Sequence, residues 1–365
     1  MKILLLSASN NIHTIRWANA LTDKGHDVSV ACCKNHAKTF DAEYNKDVKI
    51  IKLNIPSPIG YYLNAFQLKS IVRKGNFDVI NVHYASGYGT LGRMAGLKNA
   101  LLNIWGSDVY VYPYKSKTNE RNLIKNLKYY KYVASTSECM AKQSKKFVDR
   151  EYFITPFGVN TQLFKPNLVE KKNITIGTVK TLKPIYAIDD SIKAFILVYN
   201  KLLKEGKKDI ADTIEYLIYG RGDQQQYLQK LIDENGMSDK IRLCGYVRNE
   251  NLPEVLNNFS VFCCCSHSES FGVAVVEAMA CGVPVVTSDA EGFVEVVVDG
   301  VTGLIAPKKN VELVAEHLYA LITNEELRTQ YGISSVSHVK ENYDWNDNVD
   351  KMIAIYKIII ENKLK

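Results

Sequence analysis

Long hydrophobic runs are missing from this chain: none approaches the ~18–20 apolar residues needed to cross a bilayer. The first eight residues, Met1 to Ala8, hold one lysine and a short apolar stretch that soon turns polar. That is too short for a signal peptide and reads as a first buried strand, so a cytoplasmic protein is expected. Proline is scarce, nine in 365 residues, and the chain is 46% hydrophobic and 23% charged, which excludes a collagen-like or disordered polymer. Among the eight cysteines there is no C-x-x-C pair, and Cys263 to Cys265 continue the apolar run Val261-Phe262, as small buried hydrophobes would. A disulfide framework is not expected. No P-loop, no zinc spacing among the seven histidines and no D-x-D triplet occurs. The first strand runs into Ser7-Ala8-Ser9-Asn10-Asn11, without a G-x-G-x-x-G. Gly220-Arg221-Gly222 is only a lone G-x-G. No repeat of about 20–50 residues appears.

What is present is alternation. Apolar runs of strand length fall at 2–8, 27–32, 49–53, 77–82, 100–104 and 132–135, with helical patterns between them, such as Ile12 to Lys24 stopping at Gly25. A breaker-rich boundary follows, Pro156-Phe157-Gly158 and Phe164-Lys165-Pro166-Asn167, then the charged Glu170-Lys171-Lys172-Asn173. The pattern restarts with runs at 174–179, 214–219, 241–243, 259–265 and 283–287, and closes on an amphipathic helix from Trp345 to Asn362. Strand–helix alternation of this kind means α/β doubly wound parallel sheets. The expected architecture is two Rossmann-like domains facing across a cleft: residues 1–166, residues 167–342, and a C-terminal helix over 343–365 crossing back to the first domain. Ligands bind at the carboxyl ends of such strands, so the active site is expected in that cleft.

The charge is uneven. Residues 115–150 carry ten Lys/Arg against three acids, a local excess equal to the +7 of the whole chain. Within it, Asn119 to Tyr132 combines Leu123, Ile124 and Leu127 with Arg121, Lys125, Lys128 and Lys131, and with Tyr129, Tyr130 and Tyr132. Apolar, aromatic and basic residues on one helix suit an anionic membrane surface, whereas an ordinary helix with a solvated basic face explains them equally well. No nucleic-acid motif accompanies the charge, so a nucleic-acid partner is not expected.

The most informative stretch is Ser266-His267-Ser268-Glu269-Ser270-Phe271-Gly272 followed by 273–286. A strand ends in a polar loop, a helix is expected from near Ser270 to Gly282, and a buried strand follows. The free N–H groups of a helix start, with Gly272 allowing close approach, suit a diphosphate. Glu269 and Glu277, up to ~12 Å apart along a helix, would each grip a diol on either side of it. A nucleotide sugar has that layout. Two glutamates eight residues apart are common on their own, and one can simply act at a helix end.

The whole string from Glu269 to Val286 resembles the donor-site motif of the retaining glycosyltransferases of family 4, which have the GT-B fold. Gly245-Tyr246-Val247 with Leu252-Pro253, Gly292-Phe293-Val294-Glu295, Asp299 to Leu304, and Phe157-Gly158-Val159-Asn160 with Phe164 and Pro166 resemble its flanking segments. The match is specific in the C-terminal half and looser in the N-terminal half.

The resemblance implies roles. Glu269 would contact the donor sugar's hydroxyls with the main chain of Ser270, Phe271, Gly272 and Val273, Glu277 would hold the ribose, and Tyr246 would line the donor site. His83 matches a histidine near the reacting sugar and stands at a strand's carboxyl end. Tyr84 and Asp108 are acceptor-side candidates, although an Asp after Gly-Ser is equally a turn former. Lys180 fits the family's phosphate-binding arginine, with Lys183 as a second cation. The family's later lysine is replaced by Ile185, its neighbouring glycine by Ala187, and the Gly-Gly usual after strand one is absent. No cofactor and no metal are implied. The implied activity is transfer of a hexosyl or N-acetylhexosaminyl group, with retention, from a nucleotide sugar, by family frequency UDP-linked. The acceptor would be a glycan or lipid-linked molecule of cell-surface polysaccharide or lipopolysaccharide assembly. The enzyme would be peripheral on the inner face of the plasma membrane. A GT-B-like sugar-nucleotide epimerase and a non-catalytic sugar-nucleotide binding protein share the architecture and remain alternatives.

Overall fold

The computed structural model describes residues 1–37, 43–167 and 173–364, so residues 170–172 of the charged run at the expected boundary lie outside it. The chain forms two compact units, Met1–Phe157 with Asn346–Lys365, and Gly158–Trp345.

Unit 1 is built on β1 (Lys2–Leu6), β2 (Asp27–Cys33), β3 (Lys49–Leu53), β4 (Val79–His83), β5 (Leu101–Ile104), β6 (Tyr132–Ser135) and β7 (Phe153–Ile154). They lie side by side in the order β3-β2-β1-β4-β5-β6-β7, and every pairing is parallel. A parallel sheet has helices on both faces, so its central strands are apolar without alternation. In β1, Ile3 to Leu6 are all fully buried, as are Val79 and Val82 beside them. The helix Ile12–Asp23 starts on Asn11, whose Oδ1 accepts from the His13 N–H at 2.9 Å. It stops as expected at Gly25, with φ of +81°, where the Gly25 and His26 N–H groups return to the carbonyls of Thr22 and Leu21.

Unit 2 repeats the plan with β8 (Thr175–Val179), β9 (Glu215–Tyr219), β10 (Ile241–Gly245), β11 (Val261–Cys264), β12 (Val285–Ser288) and β13 (Gly303–Ala306). Their order is β10-β9-β8-β11-β12-β13, again all parallel. The two-residue β7 and the glycine-led β13 have no counterpart among the sequence runs, being too short or too polar to register as apolar. Within unit 2 its first and last segments run side by side: the Val159 N–H donates to Tyr343 O at 2.8 Å and the Trp345 N–H to Val159 O at 2.9 Å. Thr161 Oγ1 hydrogen-bonds the Asp344 carboxylate beside them.

The C-terminal helix, Trp345–Leu364, packs its later residues into unit 1. Its anchor is polar. Asn81, in the middle of β4, donates to the Tyr356 hydroxyl at 2.6 Å and accepts from Asn103 of β5. All three side chains are buried, where an unmade hydrogen bond costs more than a made one contributes. At the surface Lys24 pairs with Asp350 at 2.7 Å, and Lys363 donates to Asp78 O. Replacing Tyr356 by Phe leaves the Asn81 amide nitrogen only the weak Met352 sulfur acceptor and is expected to destabilise unit 1 by about 1–3 kcal/mol, read from its urea unfolding transition by circular dichroism. An unchanged midpoint would show that the anchor lies elsewhere.

Candidate active site

In open α/β sheets, ligands gather at the carboxyl ends of strands where the strand order reverses. In unit 2 that point lies between β8 and β11. Lys180 is the first residue after β8, and the loop that carries Glu269 follows β11. The two side chains are ion-paired and nearly buried, and the Lys180 ammonium also sits 4.5 Å from the centre of the Tyr186 ring. Burial pulls the ammonium down, but Glu269 more than reverses this and holds Lys180 above the ordinary lysine value. Burial pushes the adjacent Cys264 thiol up to about 11, so it is not a poised thiolate nucleophile.

Glycines set the backbone around this pair. The Lys180 N–H bonds Tyr219 O at 2.9 Å, and the Leu182 N–H bonds Arg221 O at 3.1 Å. A Cβ on Gly220 would fall 1.8 Å from Lys180 O, and one on Gly222 2.0 Å from Leu182 O. The lone G-x-G is therefore a clasp holding the loop that bears Lys180. On the other side, Gly292 donates to Glu269 O at 3.0 Å, and its missing Cβ leaves room for the Phe271 N–H. Phe271 is buried against Tyr343, with ring centres 5.5 Å apart.

The helix after this loop starts at Val273 rather than near Ser270 and runs to Ala280. Gly272, at φ of +94°, explains the difference, since a left-handed residue cannot continue a right-handed helix. Ser270, Phe271 and Gly272 therefore belong to the loop. Only part of the Glu269 to Glu277 interval is helical, and the expected helical rise between the two glutamates does not apply. The helix start has no side-chain cap and no acid in its first turn, as suits an anion. Glu277 is half-buried on this helix, beyond the half-buried Val273. Tyr246, one residue past β10, is 55% exposed, with the Arg221 guanidinium 5.8 Å from its ring centre. Lys183 is exposed. Ala187, in place of the family's glycine, has φ of +46° and precedes the helix Ile188–Lys204.

In unit 1 the order reverses between β1 and β4, and His83 is the last residue of β4. It is 1% exposed, and its Nδ1 has no hydrogen-bond partner. Its ring lies 4.3 Å from that of Trp105, which in turn meets Tyr84, His13 and Phe157 edge-on, while His13 stacks on Phe157 at 4.0 Å. Burial pushes His83 down to about 3, with His13 adding to the effect, so His83 is neutral. Tyr84 holds the left-handed conformation, φ of +72°, that bulky side chains avoid and that functional sites often store.

Asp108 lies inward, 1% exposed. Its carboxylate accepts from the N–H groups of Ala85 at 2.8 Å, Trp105 at 3.1 Å and Gly106 at 2.8 Å. It thus ties together the loops after β4 and β5, and burial raises its pKa against the pull of those amides.

The chain of ring contacts from His83 through Trp105 to His13 and Phe157 has no signature in the sequence, because aromatic contacts between distant segments leave no periodic signal. A G-x-G-x-x-G also occurs at Gly87 to Gly92, opening the helix Gly87–Met94, and sequence reasoning missed it. Its glycines are explained by packing: added Cβ atoms would meet Tyr61 at 2.5 Å, Tyr84 O at 3.1 Å and the Tyr130 hydroxyl at 2.2 Å. Among the described residues, no three of His, Cys, Asp and Glu cluster as metal ligands would.

Two Rossmann-like parallel-sheet units, each with its strand order reversing at one point, are the GT-B fold. Residues 159–335 match the family model described as Glycosyl transferases group 1, and residues 2–142 match that described as Glycosyl transferase 4-like. The chain belongs to this GT4-type family of glycosyltransferases. It is similar to the "Uncharacterized glycosyltransferase MJ1178" of Methanocaldococcus jannaschii, 27% identical over 88% of this chain and 89% of that one. The phosphatidyl-myo-inositol mannosyltransferase of Mycobacterium leprae is 32% identical over 42% of this chain and 40% of its own. A structure of Alr3699/HepE from Anabaena, in complex with UDP and glucose, superposes with a TM-score of 0.74 at 17% identity, covering 97% of this chain and 98% of that one.

The neutral state of His83 carries a pH dependence. Its folded pKa is depressed below the ~6.5 of the unfolded chain, so the stability it permits is complete above that value and is lost as pH falls towards 3. Unit 1 should lose about 2 kcal/mol on this account between pH 7 and pH 5. Urea unfolding followed by tryptophan fluorescence should show a shallower pH slope in His83→Asn, and equal slopes would refute a buried neutral imidazole.

Proposed function

We propose that this glycosyltransferase moves a hexosyl or N-acetylhexosaminyl group from a nucleotide sugar, UDP-linked, to a glycan or lipid-linked acceptor with retention at the anomeric carbon. The observation that carries the reading is the buried Lys180–Glu269 pair at the switch point of unit 2, beside a helix start free of acids. A carboxylate that only accepts hydrogen bonds suits sugar hydroxyls, and a fixed ammonium suits a departing diphosphate. In this reading Glu269 holds the sugar with the loop Ser270–Gly272 and Val273, Glu277 takes the ribose, and Tyr246 lines the nucleotide. Lys180, Lys183 and the helix start stabilise the leaving group. His83 serves near the reacting sugar: neutral, with one ring nitrogen unpartnered, it can exchange hydrogen bonds without adding charge. Asp108 shapes the backbone just after His83, and Asp108 and Tyr84 are the acceptor-side residues of this reading.

The bond from the anomeric carbon to the diphosphate oxygen breaks while the acceptor oxygen bonds the same face. The acceptor's proton passes to the leaving diphosphate. Support for a UDP-linked donor comes from the Anabaena protein crystallised with UDP and glucose, and for a lipid-linked acceptor from the Mycobacterium leprae enzyme. Cell-surface polysaccharide or lipopolysaccharide assembly is the setting that fits such an acceptor, with the protein peripheral on the inner face of the plasma membrane. The exposed lysines and arginine of residues 115–150 then rest on anionic lipid; among the described residues no helix is long and apolar enough to cross it.

A panel of UDP-, GDP- and ADP-sugars, scored for binding and transfer, tests the donor. Glu269→Gln, which keeps a polar acceptor beside Lys180, is expected to lose transfer by at least about a hundredfold; full activity would remove Glu269 from the site. NMR of the product is expected to show an α linkage from an α donor, and a β linkage refutes retention.

A further inference from the structure

The helix Lys117–Tyr129 does not offer membrane lipid the apolar face its sequence promised. Leu123 and Leu127 are fully buried, Ile124 is half-buried, and Tyr130 and Tyr132 beyond it are buried in unit 1. What it shows to solvent is Arg121, Lys125 and Lys128. Arg150, the last cation of the basic stretch, is turned inward onto the carbonyls of Leu127, Tyr130 and Lys131, at the end of that helix. The basic surface is real, and its apolar partner must come from elsewhere.

It comes from the segment after β3. Ile59, Tyr62, Leu63 and Phe66 are 62%, 52%, 59% and 88% exposed. Their spacing, i, i+3, i+4, i+7, puts them on one face of the consecutive helices Gly60–Leu63 and Ala65–Gly75. The same face continues into the exposed Lys69 and Arg73, with Lys74 beside them, and none of the three has an ion-pair partner among the described residues. The opposite face, with Asn64, Ala65 and Leu68, is buried.

The stripe is held out rigidly. Asn64 donates to Ile55 O at 2.8 Å and accepts from the Ile55 N–H at 3.0 Å, while Gly60 packs so close that a Cβ would lie 2.4 Å from Ile55 O. It also adjoins the basic helix. Tyr61 packs on Tyr88 and Gly87 of the helix Gly87–Met94, which Arg93–Asn126 and Asn122–Thr90 hydrogen bonds of 2.7 Å fasten to Lys117–Tyr129. Tyr112, whose hydroxyl accepts from Asn122 at 3.0 Å, lies near Tyr62.

We infer that Ile59, Tyr62, Leu63 and Phe66 form a membrane-inserting stripe that, with the basic residues around it, docks unit 1 on an anionic lipid bilayer. The inference deepens the proposed lipid-side function and rests on it. Folded surfaces rarely hold four large apolar side chains in water side by side, and a rim of unpaired cations beside them matches anionic headgroups over an acyl interior. A second copy of this chain fits less well, since a two-fold contact through the stripe would bring Lys69, Arg73 and Lys74 towards their own images.

The test is flotation of the whole protein with vesicles of phosphatidylcholine alone or with added phosphatidylglycerol. Binding to the anionic vesicles is expected, and Leu63→Asp/Phe66→Asp should weaken it at least about tenfold at both low and high salt. A Phe66→Trp variant, which keeps the test sound if the double variant misfolds, should shift its added emission to the blue on binding and be quenched by brominated acyl chains. Undiminished binding by a folded double variant, or an unshifted emission from the introduced indole on bound protein, overturns insertion and leaves docking through basic charge alone. No binding of the unmodified protein at low salt overturns docking and insertion together, while transfer from the donor panel would be unaffected. A dimer in solution that Phe66→Asp disperses also overturns the inference, in favour of a second copy.

Discussion

A parallel sheet covered on both faces leaves its chain little freedom in where to place polar chemistry. The strand interiors must be apolar, every strand ends at the same edge, and the connections part company only where the strand order reverses. Both units obey this. In unit 2 the reversal between β8 and β11 delivers Lys180 and the Glu269 loop to one place, and in unit 1 the reversal between β1 and β4 delivers His83. Lys180 is therefore the first residue after a strand, His83 the last residue in one, and Glu269 stands in the loop that follows a third.

The two edges differ in charge. At unit 2 a buried ammonium and carboxylate neutralise each other, an arrangement whose desolvation cost is acceptable only with close pairing. A ligand that brings both hydroxyls and phosphates offers each partner a replacement. At unit 1 burial keeps His83 uncharged beside the Trp105 ring, and Asp108 uses its carboxylate on three backbone amides. One edge thus holds a paired charge, and the other an uncharged imidazole beside an aromatic side chain.

Close backbone approach governs both edges. Gly220 and Gly222 clasp the Lys180 loop, Gly292 seats the Glu269 loop, and Gly87, Gly89 and Gly92 let a helix lie against Tyr61, the Tyr84 carbonyl and Tyr130. Each glycine exists because a neighbouring atom occupies the space of a Cβ. Motif reading gives such glycines a ligand; here the neighbours are the protein itself.

Much of this was legible in the residues. Apolar run length and spacing reported most strands, Gly25 marked a helix end, and the string from Glu269 to Val286 announced the family, because these depend on local conformation and on short contiguous motifs. Strand order was not legible, nor was the His13–Phe157–Trp105–His83 cluster, nor the inward turn of Asp108, since each depends on segments far apart in the chain. The basic stretch shows the division best. Its charge was countable from composition alone, but which of its apolar neighbours face the core was not. Helical spacing is the same for a stripe that packs inward and one that faces out. Only the packing of Leu123 and Leu127 inward, and of Ile59, Tyr62, Leu63 and Phe66 outward, decided that the exposed apolar surface of unit 1 lies on a different helix from the one its charge had marked.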